Sequence, residues 1–359
     1  MSTSASHAAQ RVNLPFEFRG SGGEYFRIWI VNLLLTIVTL GIYSAWAKVR
    51  RLRYFYGNTY LDGHPFEFHG QPMAILKGRL LVFFAYLLFV FTSQLNPLIA
   101  FVLIPAFIFG VPWIIMKSRV FQTRMSSYRN IRFNFHGDYG GALGAFVGWY
   151  LLAIITIGIL YPAWVRKRVE YSLDNAAYGT QKWSFLTGNG RFYTFCLVTF
   201  VLAAAAYAGF IFMIIGAAKG AQAAQGYGPE AELMALLGLG AGFWVMVLGF
   251  AVVGLAIWGY YQANFLNASF GGVQIGGNYL RSNLEIAPLS WIYVTNLLGI
   301  VFTLGLFYPW AKVRQMRYQL ENMAVDSDGN LSAFMADASA GSSALAEEAG
   351  DFFDVDFGL

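Results

Sequence analysis

The sequence predicts an all-α polytopic membrane protein with four transmembrane helices, three repeated segments that span or re-enter, and small β-hairpin-like cytoplasmic segments. Three observations predict it. Hydrophobic residues make up 57% of the 359-residue chain and charged residues only 12%, against about 25% charged in an ordinary soluble domain. Charge is absent from 80–116, from 192–218 and from 233–280, and a hydrocarbon core of about 30 Å needs about 20 apolar residues of helix. One apolar segment with a basic edge also recurs along the chain, and such self-similarity governs the fold reading.

Residues 1–15 are small and polar and are expected to be disordered. The first repeat, 16–79, opens with the alternating stretch Phe16-Glu-Phe-Arg-Gly20. An apolar run from Ile28 to Ala47 follows, then a basic cluster of Lys48, Arg50, Arg51 and Arg53. Tyr54 to Gly70 reads as a hairpin around the turn dipeptide Asp62-Gly63. Residues 80–116 form a transmembrane hairpin turning at Asn96-Pro97, because proline disfavours helix before it and tolerates a helix start.

The second repeat, 117–191, carries Phe133-Asn-Phe135-His-Gly137 and the cluster Arg166-Lys-Arg168. A second transmembrane hairpin covers 192–259, with a Gly/Ala-rich loop at 217–232. The third repeat, 260–323, contains two Gly-Gly pairs within Phe270 to Gly277. The tail, 324–359, is expected to be disordered and is acidic: nine acids follow from Glu321 onward and no Lys or Arg follows Arg317. Its last nine residues interleave Phe with Asp, which suits either a solubilising tail or a docking segment for a basic surface.

Residues 32–54 and 296–318 align without a gap. Thr39-Leu-Gly41, Trp46-Ala-Lys-Val-Arg50 and Arg53-Tyr54 recur as Thr303-Leu-Gly305, Trp310-Ala-Lys-Val-Arg314 and Arg317-Tyr318. The middle copy is weaker, with Thr156 and Gly158 in place and Trp164 one position late. All three copies keep Tyr-x-x-x-Asn, as Tyr54/Asn58, Tyr171/Asn175 and Tyr318/Asn322. The residues assigned to membrane-interface or anionic-lipid contact are Trp46, Lys48, Arg50, Trp164, Arg166, Arg168, Trp310, Lys312 and Arg314. A membrane-exit signal, with Trp at the headgroups and Lys/Arg at the anionic surface, is preferred over a dedicated lipid-phosphate site.

Topology is left between two arrangements. Seven full crossings would split the 24 Lys and Arg residues 15 against 9. Repeats that enter and return on one face place 23 of the 24 inside, with Lys219 the exception, which the positive-inside rule prefers. The Thr-x-Gly break supplies a bend. Both arrangements put the C-terminus in the cytoplasm.

No catalytic constellation emerges, and an enzyme is not expected. His7, His64, His69 and His136 lack metal-ligand spacing, and no nucleophile-elbow, zinc-protease, Walker or dinucleotide motif occurs. No cofactor or metal is expected, and the lone Cys196 permits no intrachain disulfide. The apolar windows hold no Asp, Glu, Lys or His, which argues against a proton-coupled pump. Asn32 and Asn296 are matching polar positions suited to interhelical hydrogen bonds.

The Phe-x-Phe-x-Gly lead-in, the Asn-Leu-Leu…Thr-Leu-Gly-Ile-Tyr…Trp-Ala-Lys segment and the Arg-Tyr…Asn follow-on resemble the YjgN-like family of bacterial inner-membrane proteins, over roughly Phe16 to Asn322. The resemblance implies a polytopic protein of the bacterial inner (cytoplasmic) membrane and carries over no catalytic residue. The expected function is transport or passage of a small solute or lipid at the interface of the repeats. The alternative is a non-enzymatic scaffold or envelope-organising protein with an acidic docking tail. Expected partners are the lipid bilayer, anionic headgroups and a protein bound by the tail, with no nucleic acid.

Overall fold

A computed structural model describes residues 11–224 and 228–328, together with 334, 338 and 339. Its centre is a closed antiparallel barrel of ten short strands. The strands are β1 (Val12–Phe18), β2 (Thr59–Leu61), β3 (His64–Phe68), β4 (Ser126–Tyr128), β5 (Ile131–Phe135), β6 (Ala176–Tyr178), β7 (Gln181–Phe185), β8 (Val273–Ile275), β9 (Asn278–Ser282) and β10 (Met323–Ser327). This overturns the expectation of an all-α fold with small separate hairpins. Turn chemistry marks the hairpin at Asp62-Gly63 and the Gly-Gly pairs mark that at 270–277, but three- and five-residue strands carry too little alternation to announce a shared sheet. Closure pairs Val12 with Ser327, across nearly the whole chain.

The hairpin unit recurs five times, beyond the threefold repeat of the sequence. Four copies join a three-residue strand to a five-residue strand through two residues. Two of these turns have both central residues at positive φ, Asp62-Gly63 (48° and 72°) and Arg129-Asn130 (48° and 65°), the form whose twist matches the flanking strands. The fifth copy is split between the ends of the chain, as β10 and β1. β1 therefore begins inside the N-terminal stretch expected to be disordered, and β10 lies in the expected tail. Residues 1–10, 225–227 in the expected 217–232 loop and the last nine residues lie outside the described residues.

Strand register places all helices at one end of the barrel. The pairs Phe18↔Thr59, Phe68↔Ser126, Phe135↔Ala176, Phe185↔Val273 and Ser282↔Met323 sit where a helix leaves one strand and another helix enters the next. The two-residue turns, Val12 and Ser327 sit at the opposite end. Five helical pairs thus leave the barrel and return to it.

Two pairs are long. α3 (Pro72–Leu95) with α4 (Pro97–Arg124), and α8 (Asn189–Ala224) with α9 (Pro229–Phe270), contain the four helical stretches that, among the described residues, are long and apolar enough to cross a membrane. Asn96 turns the first pair, its Oδ1 accepting from the Leu98 N–H at 2.9 Å ahead of Pro97 in the first helical turn.

The other three pairs are the sequence repeats. They are α1 (Gly22–Val38) with α2 (Ser44–Gly57), α10 (Ile286–Phe302) with α11 (Tyr308–Glu321), and a middle pair. In the middle pair α5 (Tyr139–Leu143), a π-helical turn at 144–148 and α6 (Trp149–Ile155) run outward, and α7 (Tyr161–Asp174) returns. The seven-crossing arrangement would separate the two ends of the chain, whereas β1 and β10 are neighbours.

The bend of each repeat follows from Thr-x-Gly. Gly41, Gly158 and Gly305 have φ of 93°, 86° and 92°, a region only glycine adopts without strain. Their N–H groups donate five residues back, to Thr36, Ala153 and Ile300 carbonyls at 2.7–2.8 Å. The Thr39, Thr156 and Thr303 hydroxyls accept from the N–H groups of Tyr43, Leu160 and Phe307 at 3.0, 3.2 and 2.9 Å. Each hydroxyl also donates back to a helix carbonyl. The bend therefore satisfies these polar groups itself. At its tip Leu40, Ile157 and Leu304 are 94–95% exposed.

Tyr-x-x-x-Asn is a structural device of the ring. Asn58, Asn175 and Asn322 donate to the carbonyls of Tyr54, Tyr171 and Tyr318 at 2.7–2.9 Å, capping the returning helix. The three tyrosine hydroxyls donate to the carbonyls of Ser21, Asp138 and Glu285, just before the neighbouring outgoing helix.

Candidate functional site

Side chains alternate along each strand, so Leu14, Phe16, Leu61, Phe66, Tyr128, Phe133, Tyr178, Trp183, Ile275, Leu280 and Val325 point into the barrel. They do not fill it. A cavity of about 670 Å³ remains, within the range of pockets that take drug-sized ligands. Its wall is apolar even at the tyrosines: Tyr128 donates its hydroxyl to the Leu61 carbonyl at 2.7 Å, and Tyr178 to the Tyr128 carbonyl at 3.0 Å. Burial pushes the Tyr128 phenol up to about 12, so it stays neutral at physiological pH.

At the turn end, Phe334 stacks on Tyr178 with ring centroids 5.9 Å apart. Ala338 is buried, and its carbonyl accepts from the Thr180 N–H at 3.3 Å. Phe334 and Ala338 thus pack at this end of the barrel.

At the helix end the lumen is bounded by Arg51, Leu52, Phe55 and Tyr56 of α2 and by Tyr308, Lys312, Met316 and Leu320 of α11. A second cleft of about 320 Å³ adjoins it, lined by residues of α1 and α2 with Arg79 of α3 and Tyr308 of α11. Arg51 and Tyr308 line both spaces. Lys48 and Arg79 face the cleft, and Asn32, 7% exposed, lines it with an Oδ1 that has no hydrogen-bond partner. Burial pulls the Lys312 ammonium below its ordinary value, and the Arg51 charge pulls it further. Burial does the same to Lys48, followed by the charges of Arg79 and Arg51. Both effects disfavour adding positive charge where no anion balances it.

The sequence-predicted contact residues divide into distinct surroundings. Lys312 lines the lumen and Lys48 the adjoining cleft. Arg50 instead donates to the Tyr43 hydroxyl at 3.2 Å and Arg314 to Thr295 Oγ1 at 2.7 Å. Arg166 pairs with Glu170 at 3.0 Å and donates to the Thr187 carbonyl. Arg168 lies over the Trp164 ring at 4.5 Å. Trp46 stacks on Tyr43, and Trp310 packs against Phe26. Arg53 and Arg317 brace the ring by donating to the Gly70 and Gly20 carbonyls.

Arg51, Arg79 and Tyr308 complete the site and were not singled out from sequence. Arg51 did leave a signal: within the basic clusters of the two outer repeats, it is the one position where charge differs, with Gln315 opposite it. Asn296, the counterpart of Asn32, donates to the Ala311 carbonyl at 3.1 Å within its own pair. His69 bonds Ser127 Oγ at 2.7 Å, outside the lumen lining.

Comparison with known proteins places this geometry. A model of the family DUF898, bacterial protein of unknown function, matches residues 13–352. The inner membrane protein YjgN of Salmonella typhimurium strain LT2 is 25% identical over 365 residues, covering 88% of this chain and 89% of that protein. Inner membrane protein YjgN of Escherichia coli O157:H7 is 35% identical over 152 residues, 40% of this chain and 36% of its own length. The Escherichia coli K12 protein of the same name is 32% identical over 145 residues, again 40% of this chain and 36% of its own. No solved structure matches the chain.

Proposed function

The chain belongs to the DUF898 family of bacterial proteins, and on that footing we propose that it binds an apolar ligand from the membrane in its barrel and passes it toward the turn end, without catalysing a reaction. The observation that carries this reading is the junction at Arg51 and Tyr308, where the apolar lumen meets a cleft between helices of the first and third repeats. Internal repeats often hold a ligand at their interface. The barrel is read as cytoplasmic, because the helices then leave only Lys219 of 24 basic residues on the far side. The relatives named as inner membrane proteins support the compartment.

A neutral long-chain alcohol bearing a photoactivatable diazirine, added to native membranes, tests the binding reading. Crosslinks are expected on lumen residues such as Tyr128 and Trp183, reduced about tenfold by Leu280→Trp, which puts an indole into the cavity. Crosslinks confined to the lipid-facing surfaces of the long helices would refute it.

Orientation is tested on its own with single cysteines at Thr180 and Lys219 in a Cys196→Ala background. A membrane-impermeant maleimide on intact spheroplasts is expected to label position 219 and spare position 180. The reverse pattern would invert the assignment.

A further inference from the structure

Resting on the reading of the lumen as a ligand site, we infer that the ligand is an anionic amphiphile, its headgroup held by Lys48, Arg51, Arg79 and Lys312 and its single alkyl chain in the barrel. The inference starts from charge. These four cations line the joined cleft and lumen. Among the described residues, none of them forms an ion pair with a carboxylate.

Two charged sites elsewhere carry their own counterions. Asp326 pairs with Arg281 and accepts from Asn13, and Arg166 pairs with Glu170. At the junction compensation is limited to a hydrogen bond from Arg79 to Ser44 Oγ. Gathering cations on partly desolvated helices is costly unless an anion joins them. The missing partner is therefore a negative group.

Shape then selects the rest of the molecule. A free inorganic anion would need only the cleft. Yet Arg51 and Lys312 also face about 670 Å³ lined almost wholly by hydrocarbon and aromatic faces. At the roughly 30 Å³ of a water-sized group, that is room for about 20 such groups, or one alkyl chain and not two. The cleft is flanked by α1 and α3, which expose apolar residues such as Val31, Leu34, Leu80 and Leu81, so the ligand arrives from lipid between them.

Diazirine-labelled probes of one chain length, with a carboxylate, a phosphate monoester or a neutral hydroxyl head, test this in reconstituted full-length protein. Either anion is expected to half-saturate lumen labelling at a concentration at least tenfold below the alcohol. Arg51→Gln with Lys312→Gln should bring the half-saturating concentrations of anion and alcohol within about twofold of each other. Millimolar inorganic phosphate should not displace the anionic probes. Equal labelling by anion and alcohol would overturn the inference while sparing the lumen reading. Displacement by phosphate alone would make this a free-anion site and overturn it too. Failure of every probe to label the lumen would instead remove the reading on which it rests.

Discussion

Truncation after Glu321 is expected to leave no monodisperse folded protein, although it removes only the last tenth of the chain. β10 is hydrogen-bonded on both sides, to β1 and to β9. Its loss opens the barrel and exposes two unpaired edges, a template for aggregation. It also removes the lumen-facing Met323 and Val325 and Asp326, which accepts from Asn13 at 2.8 Å and pairs with Arg281 at 2.5 Å. Two half-buried apolar side chains, each below the about 1.5–3 kcal/mol of full burial, with a half-buried ion pair and both ladders of hydrogen bonds besides, are a large share of the stability of an ordinary domain. Truncation after Ser339 retains Phe334 and Ala338 and should leave elution and thermal midpoint unchanged. Size-exclusion profiles and melting of the two truncations in detergent check this. If the shorter chain behaves like the full one, barrel closure is not what holds the fold.

Arginine at all three repeat tips, as Leu40→Arg, Ile157→Arg and Leu304→Arg together, is expected to prevent stable membrane insertion. An arginine at the centre of a membrane helix costs about 2.5–3.5 kcal/mol, and tips on separate helical pairs should add. The tips lie beyond the last charges of their pairs: no charged residue occurs from Ile28 to Ala47 or from Ile286 to Ala311, and the tip residues are 94–95% exposed. Were the tips in water, three exposed Leu or Ile to Arg changes would each fall within about 0.5 kcal/mol of neutral. Membrane-fraction yield and resistance to carbonate extraction distinguish the cases, and wild-type yield from the triple variant would mean the repeats lie outside the bilayer.

The two outcomes probe different parts of the same design. Thr-x-Gly reverses the helix with its polar groups satisfied, one hydroxyl bonding on both sides of the bend and a glycine at positive φ following a left-handed Leu or Ile. A segment of about 17 residues can then dip and return without a partner protein at its tip. The barrel supplies what the dipping segments lack, a fixed platform that sets where each helix leaves and re-enters.

Much of this was legible in residues. Charge-free windows located the long helical pairs, the match of 32–54 with 296–318 located the repeats, and Thr-Leu-Gly marked the bends. Turn dipeptides such as Asp62-Gly63 marked individual hairpins. The lumen was not legible, because inward residues such as Phe16, Tyr128, Ile275 and Val325 come from strands too short to show a period and too far apart to suggest contact. The basic clusters were read as one class of membrane edge. Side-chain surroundings separate them: Arg53 and Arg317 brace the ring, Arg50 and Arg314 bond to the neighbouring hydroxyls of Tyr43 and Thr295, Lys312 lines the lumen and Lys48 the adjoining cleft.

Hydropathy, repeat spacing and turn chemistry are local properties, and they determined the solvent, the number of helical pairs and the places where the chain reverses. Barrel closure is nonlocal: it needs Val12 beside Ser327, a pairing that neither end specifies and that only the packed ring of five hairpins enforces. The same closure created the apolar lumen and brought Lys312 of the third repeat to Arg51 of the first. The charge that local sequence could assign only to a membrane edge became, in the folded protein, the rim of a cavity.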